Sequence, residues 1–210
     1  MNFKHKLPKV KLVDREKFIL DRCREKVVLH LGAVDQYEKS VAVFHRKLMN
    51  VASDVVGVDI DREGIEKAKK LGIHNIIYGN VETLWDLDIN KKFDIIVAGE
   101  ILEHISNPGN FLHGIKRFFL PKTQMIITTP NAFSLHRFMI YWLLNTEYVH
   151  SEHTCYYSYA TLKNLLERHG FNIEETYYYH LGRTFERLLY SLFPHLSTGL
   201  IFVVSLRYKT

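Results

Sequence analysis

The sequence predicts an α/β sandwich: a Rossmann-like, doubly wound sheet of parallel strands covered by helices on both faces. Short apolar runs rich in Val and Ile alternate with longer charged segments of helical period. The runs are continuous rather than alternating, which is how strands buried on both faces read. A length of 210 residues with 47% hydrophobic and 24% charged residues suits one domain with one core.

The elements follow in order. From Val13 to Arg24, Phe18, Ile19 and Leu20 lie among charges, which predicts an amphipathic helix leading into the body. Val27 to Gly32 is the first strand and Tyr37 to Asn50 the helix after it; Asp54 to Ile60 is the second strand and Arg62 to Leu71 the second of these helices. Asn75 to Gly79 and Phe93 to Ala98 are the third and fourth strands. Ser106-Asn107-Pro108 supplies a cap and an early Pro for a helix ending near Leu120-Pro121, and Gln124 to Thr129 is the fifth strand. Ala132 to Tyr148 is aromatic with little charge, and reads equally as a lid over a pocket or as a packed helix. Ser158 caps a helix to His169, stopped by Gly170. Asn172 to Tyr179 and Leu200 to Leu206 are late strands flanking a helix around Phe185 to Leu192.

Charge and cysteine usage narrow the function classes. Residues 1–26 carry nine Lys or Arg against four acids, and the remaining residues balance, so the formal charge of +5 sits in an N-terminal arm. Such an arm can steer a chain toward nucleic acid or an anionic surface; the plainer reading is a solvated tail before a helix. The arm and first helix, residues 1–24, are expected to precede a domain at 25–210. Cys23 and Cys155 give no support to a disulfide framework or a Cys-based zinc site. With no apolar leader and no apolar run of membrane-spanning length, a soluble, cytoplasmic protein is expected.

In an open parallel sheet, ligands sit beyond the carboxyl ends of the strands. The first strand ends at Gly32, a residue free to take φ > 0 or to admit a ligand against the backbone. The second ends at Asp59, 27 residues later, a distance at which a carboxylate can reach a ribose diol. The competing reading makes Asp59 a helix cap.

At this point the motifs resemble those of class I S-adenosylmethionine-dependent methyltransferases. They are Gly57 to Asp61, Gly79 to Glu82, Phe93 to His104 and Met125 to Asn131, across roughly residues 25–175. The resemblance implies a sheet of seven strands with the last antiparallel, an aromatic lid insertion at about 132–150, and S-adenosyl-L-methionine as cofactor. It implies Gly32 near the methionine end, Asp59 on the ribose, Asn80 and Val81 at the adenine, and Gly99 near the sulfonium, with Asp35 and Ile60 completing the set. One segment departs. The family's first loop reads Asp-x-Gly-Cys-Gly-x-Gly, whereas this chain has His30 for the acid and Val34 and Gln36 for two glycines.

Two function classes remain: an active methyltransferase, and a methyltransferase-like binding module without chemistry. Methyl transfer to a hydroxyl needs a base or a metal. Glu100, Glu103 and His104 follow the fourth strand, and His153 precedes the capped helix. The cluster resembles the metal site of small-RNA 2′-O-methyltransferases, and in part that of quinone-biosynthesis O-methyltransferases. This implies a divalent metal on Glu100, Glu103, His104 and His153, with Mn²⁺, Fe²⁺, Zn²⁺ or Mg²⁺ compatible. The metal-free alternative makes His104 a general base oriented by Glu103, and a third reading leaves the carboxylates structural. His136 and His150 carry no expected role. By association with surface-polysaccharide methyltransferases, the expected acceptor is a hydroxyl of a sugar or glycan, on a small molecule or on a lipid-linked or nucleotide-linked glycan. An RNA terminal ribose 2′-hydroxyl is the second choice.

Overall fold

The computed structural model describes residues 4, 6–37, 40–181 and 184–208. In chain order the elements are β1 (Leu12–Val13), α1 (Arg15–Cys23), β2 (Val27–Leu31), β3 (Gln36–Tyr37), β4 (Ser40–Val41) and α2 (Val43–Met49). Then come β5 (Asp54–Asp59), α3 (Arg62–Lys70), β6 (Ile76–Tyr78), β7 (Phe93–Gly99) and α4 (Pro108–Gly114). The last are β8 (Phe119–Pro130), α5 (Leu135–Leu144), α6 (Tyr159–Arg168), β9 (Phe171–Tyr179), α7 (Thr184–Leu192) and β10 (Gly199–Leu206). The main sheet has eight strands in the order β1-β9-β10-β8-β7-β2-β5-β6. β10 runs antiparallel to both neighbours, and the other pairings are parallel.

The expected α/β sheet and its antiparallel last strand are present, but the strand count is eight, not seven. The extra edge strand is β1, part of what the sequence reads as arm and helix; Leu12 and Val13 pair with Tyr178 and Tyr179. The helix expected over Tyr37 to Asn50 is shorter: Gln36–Tyr37 pairs with Ser40–Val41 as a small hairpin, and residues 38 and 39 lie outside those described. α4 stops at Gly114 and a 3₁₀ turn, Ile115–Phe118, carries the helical path almost to the expected end near Leu120-Pro121, which themselves lie at the start of β8.

Alternation along the strands divides the core between the two faces of the sheet. From β2 and β7, Leu29, Leu31, Ile96 and Ala98 face one way, against Phe111 and Leu112 of α4 and Leu162 and Leu166 of α6. Val28, Ile95 and Val97 face the other, against Ile19 and Cys23 of α1 and Leu48 of α2. Their burial is close to total, which is why these runs carry no polar alternation. α1, although rich in charge, is fixed to the sheet by the apolar side of its amphipathic pattern.

One polar pair interrupts the second face. His30 and His45 are 4% and 0% exposed, and their Nδ1 atoms are 3.1 Å apart. Asn75 Nδ2 donates to the Val55 carbonyl, so Asn75 Oδ1 is the acceptor for His45 Nε2 at 3.2 Å. His45 Nδ1 is therefore bare, and His30 Nδ1–H donates to it. Both rings are neutral. Burial, then His45, then Arg15 push the His30 pKa down to about 3, and burial lowers that of His45.

The unfolded chain binds a proton at His30 below its ordinary value of 6.5 and the folded chain does not, so this group's contribution to stability is lost as pH falls. Between pH 6.5 and 3 the parent should lose about 1.4 kcal/mol per pH unit relative to His30→Leu. Urea unfolding of both proteins across that range tests it; parallel pH profiles would contradict the buried neutral pair.

Candidate active site

The turns beyond the carboxyl ends of β2, β5, β6 and β7 converge on one cleft. Its first part is a cavity of about 220 Å³ lined by residues including Gly32, Asp59, Ile60, Asn80, Val81 and His104. A second, of about 190 Å³, is lined by residues including Arg15, His30, Gly32, Asp35, Gly99 and Glu100. Gly32 and Glu100 belong to both. Gly32 has φ +68°, and a Cβ there would stand 2.6 Å from Ile101 Cδ1, so a bare glycine keeps the junction open.

Asp59, 8% exposed, ends β5 with its carboxylate turned back into the cleft. Oδ2 accepts from Val34 N at 2.8 Å and Oδ1 from Asp61 N at 2.9 Å. Burial raises its pKa, against the lowering by these backbone donors. The cap of α3 is Asp61, whose Oδ1 accepts from Gly64 N, so the helix-cap reading does not apply to Asp59. A carboxylate has about four lone-pair directions, so two remain for hydroxyls. Asn80 uses its carbonyl to cap the 3₁₀ turn Val81–Asp86, accepting from Glu82 N. Asp35 caps α2, accepting from Val43 N at 2.7 Å and Phe44 N at 3.3 Å. Ile60 is exposed at the rim and Gly99 lies at the end of β7.

The glycine-poor loop has its own solution. Val34 and Gln36 do not take positive φ, so neither position demands glycine. The Val34 side chain packs on α3: a Cβ placed on Gly64 would be 2.3 Å from Val34 Cγ1. The missing glycine of the loop is thus matched by a glycine on the helix it touches.

Glu100 leaves β7 with φ +53°, a conformation costly for a side-chain-bearing residue. Partners hold it there: its N donates to Thr128 O, and its Oε1 accepts from Thr128 Oγ1 at 2.8 Å and Tyr179 OH at 2.6 Å. Arg15 Nη1 approaches the same oxygen at 3.5 Å. Residues 102–104 form a turn rather than a helix, closed by His104 N donating to Ile101 O. Glu100, Glu103 and His104 are therefore not spaced along one helical turn. Glu103 is fully buried with Oε2 accepting from Thr129 Oγ1, and Oε1 has no hydrogen-bond partner among the described residues. Burial, then Glu100, raise its pKa to about 8, which leaves it largely protonated at neutral pH.

His104 meets His153 and His150 instead. Their ligand-capable atoms lie within 4.8 Å of one another, and Glu100 and Glu103 do not join that group. The His104 and His153 ring centroids are 4.6 Å apart, and His153 Nδ1 is buried with no hydrogen-bond partner among the described residues. Thr154 places them: its N donates to Glu103 O at 2.7 Å and its Oγ1 to Glu103 O and Ile105 O, which pins the 151–157 segment to the turn after β7. Burial lowers the pKa of His104 and takes that of His153 to about 4, so both imidazoles are neutral at pH 7. The carboxylate beside His104 is Glu152, 3.7 Å from Nδ1, rather than Glu103.

The methyltransferase-domain family matches residues 35–176. The chain belongs to that family. A curated relative, a ubiquinone biosynthesis O-methyltransferase of Nitrobacter winogradskyi, is 32% identical over 83 residues, covering 39% of this chain and 32% of the relative. The chain thus spans about a third of the length of that relative. A solved S-adenosylmethionine-dependent methyltransferase of Clostridium acetobutylicum is similar over 92% of this chain and 91% of its own, with a TM-score of 0.62 and 11% identity. The DhpI–SAH complex is similar over 87% and 78%, with a TM-score of 0.56 and 14% identity. At such identities the likeness is one of fold, and it is the class I methyltransferase fold.

The cleft of this methyltransferase-domain chain suits a nucleoside with a zwitterionic tail. Asp59 and the Asn80–Val81 turn line one end, Arg15 and the Asp35 and Glu100 carboxylates the other, and Gly32 the junction. Sequence reading missed Arg15, because no local signal shows that α1 returns across the sheet. It dismissed His150, which only the clamped 151–157 segment brings to His104. For Thr154 the motif Glu-His-Thr-Cys offered a position but no role.

The packing of Val34 on Gly64 makes a firm prediction. Val34→Gly, which restores the family's glycine, should destabilise the protein by about 1–2 kcal/mol through lost packing and added backbone freedom. Urea denaturation checks this, and an unchanged or raised midpoint would show that the valine holds nothing.

Proposed function

We propose that this chain is an O-methyltransferase that uses S-adenosyl-L-methionine to methylate a hydroxyl presented at His104. The observation that carries the reading is the continuity of the Arg15–Gly32–Asp59 cleft with His104 at its mouth. Family membership and the name of the curated relative support it. When bound, the cofactor supplies an electrophilic methyl group. Asp59 would hold the ribose hydroxyls, Arg15 the carboxylate, and Asp35 or Glu100 the ammonium. The acceptor's proton would pass to a neutral imidazole nitrogen of His104, which Glu152 orients from the solvent side.

The residues also suit a divalent ion, though not through the set expected from sequence. His104, His150 and His153 would hold it; three imidazoles favour Zn²⁺, Fe²⁺ or Mn²⁺ over Mg²⁺, which prefers oxygen. Such an ion would lower the pKa of a hydroxyl placed beside it. The glycan acceptor rests on the association with surface-polysaccharide methyltransferases, and the RNA alternative on the charge of the arm and the resemblance of the Glu100, Glu103, His104 and His153 cluster; no contact in the site favours either.

Cofactor binding is the direct test. Asp59→Ala should weaken S-adenosylmethionine binding tenfold or more, since each charge-assisted bond is worth about 1.5–3 kcal/mol. Arg15→Ala should weaken it about tenfold while leaving 5′-methylthioadenosine, which lacks the carboxylate, nearly unaffected. Isothermal titration reads both, and unaltered binding in folded Asp59→Ala would refute the pocket.

A metal requirement is tested separately by following methyl transfer from labelled cofactor after exhaustive chelation. Activity should fall and return with Mn²⁺ or Zn²⁺ in the parent but not in His150→Ala. Full activity in chelator would leave His104 as the base without an ion.

A further inference from the structure

A second concavity lies beyond the histidines. It has a volume of about 580 Å³, inside the range of small-molecule sites, and is walled by Phe133, Leu135, Phe138, Tyr141, Tyr148 and Tyr156. Arg137 and Glu147 are its charged members. Tyr156 is the shared wall: its ring is 5.6 Å from that of His153, and Arg137 stacks over it at 4.2 Å. Ring contacts from Tyr156 to His153 and from His153 to His104 therefore lead from this pocket to the cleft that His104 lines.

The occupant must explain an unusual exposure. No residue of α5 is buried, and Phe133, Phe138, Tyr141 and Tyr148 are 71%, 58%, 64% and 71% exposed. A soluble surface rarely leaves such a contiguous apolar patch without use. Trp142, Leu143 and Leu144 are exposed outside this lining, and a flat partner or a bilayer covers protruding side chains of that kind, but neither fills the hollow among Phe133, Phe138, Tyr141 and Tyr148. A slender apolar ligand fills it, and the Tyr156 hydroxyl is already satisfied by the Tyr148 carbonyl.

We infer that the pocket holds the apolar tail of the acceptor, a hydroxylated amphiphile whose hydroxyl end faces His104 and His153. The inference deepens the O-methyltransferase reading and rests on it for which end of the acceptor faces the histidines. The tail site itself is independent of cofactor and chemistry, and is tested by binding alone.

The probes are 4-ethylphenol, 4-butylphenol and 4-hexylphenol, titrated below their aggregation limits by calorimetry. Each methylene buried is worth about 0.8 kcal/mol, so affinity should rise about fourfold per added carbon. In Phe138→Glu and Tyr148→Ser, both exposed positions whose change leaves the core intact, the dependence on chain length should collapse. S-adenosylhomocysteine binding should be unchanged in both. A parent that binds S-adenosylhomocysteine but shows no chain-length dependence overturns the tail site and leaves the cofactor reading standing. A parent with chain-length dependence but no S-adenosylhomocysteine binding keeps the tail site and overturns the cofactor reading. Sedimentation with phosphatidylcholine–phosphatidylglycerol vesicles, and sedimentation velocity across concentration, identify the rivals. Vesicle binding or dimerisation lost in Phe138→Glu, without chain-length dependence in the parent, would overturn the inference in favour of a membrane or a second copy.

Discussion

The Asp59 carboxylate is the constraint on which the proposed cofactor half of the cleft depends. One oxygen fastens the loop after β2 through Val34 N and the other fastens the turn into α3 through Asp61 N. Two segments separated in sequence are thereby set side by side at the ends of adjacent parallel strands. Because a carboxylate offers more acceptor directions than these two bonds consume, the group that organises the pocket also remains able to bind in it. Burial raises its pKa while the backbone donors lower it, so the donors that the fold supplies offset part of the cost of burying the group.

The acceptor half depends on a different kind of anchor. Thr154 takes up carbonyl groups of the turn after β7, and this brings a segment fifty residues further along the chain against His104. Glu103, whose backbone receives that clamp, keeps its own side chain inside the core on Thr129. A largely neutral carboxyl there is tolerable in a way that a carboxylate would not be. Its sequence neighbour His104 lines the cleft, so a single residue step separates a side chain held in the core from one that reaches the cavity.

Much of this was legible in the sequence, and the pattern of what was not is physical. The strands were readable because burial on both faces leaves uninterrupted Val and Ile runs, as in Asp54–Asp59 and Phe93–Gly99. Gly32 and Asp59 were readable because they sit at strand ends whose spacing is set by one crossover. β1 was not, since a two-residue edge strand carries no period. The expected ligand set of Glu100, Glu103, His104 and His153 does not gather as one group, because the backbone breaks at Glu100, φ +53°, and turns at 102–104. His150 and Arg15 were missed because their roles depend on long-range placement, through the Thr154 clamp and through the packing of Ile19 and Cys23 under the sheet.

The replaced glycines show how such a family can change a motif without discarding the pocket. A glycine in a ligand loop serves either an unusual φ or a close approach, and the two needs are separable. At Gly32 both hold: φ is positive and Ile101 stands where a Cβ would project. At Val34 neither holds in this chain, because the backbone stays in ordinary conformations and the side chain turns away from the cleft onto Gly64. The loop is then steadied by side-chain packing and by Asp35 on the first turn of α2, in place of the freedom that glycines would give. Loss of glycine from this segment is therefore compatible with a working cleft, provided that the glycine at the junction is kept.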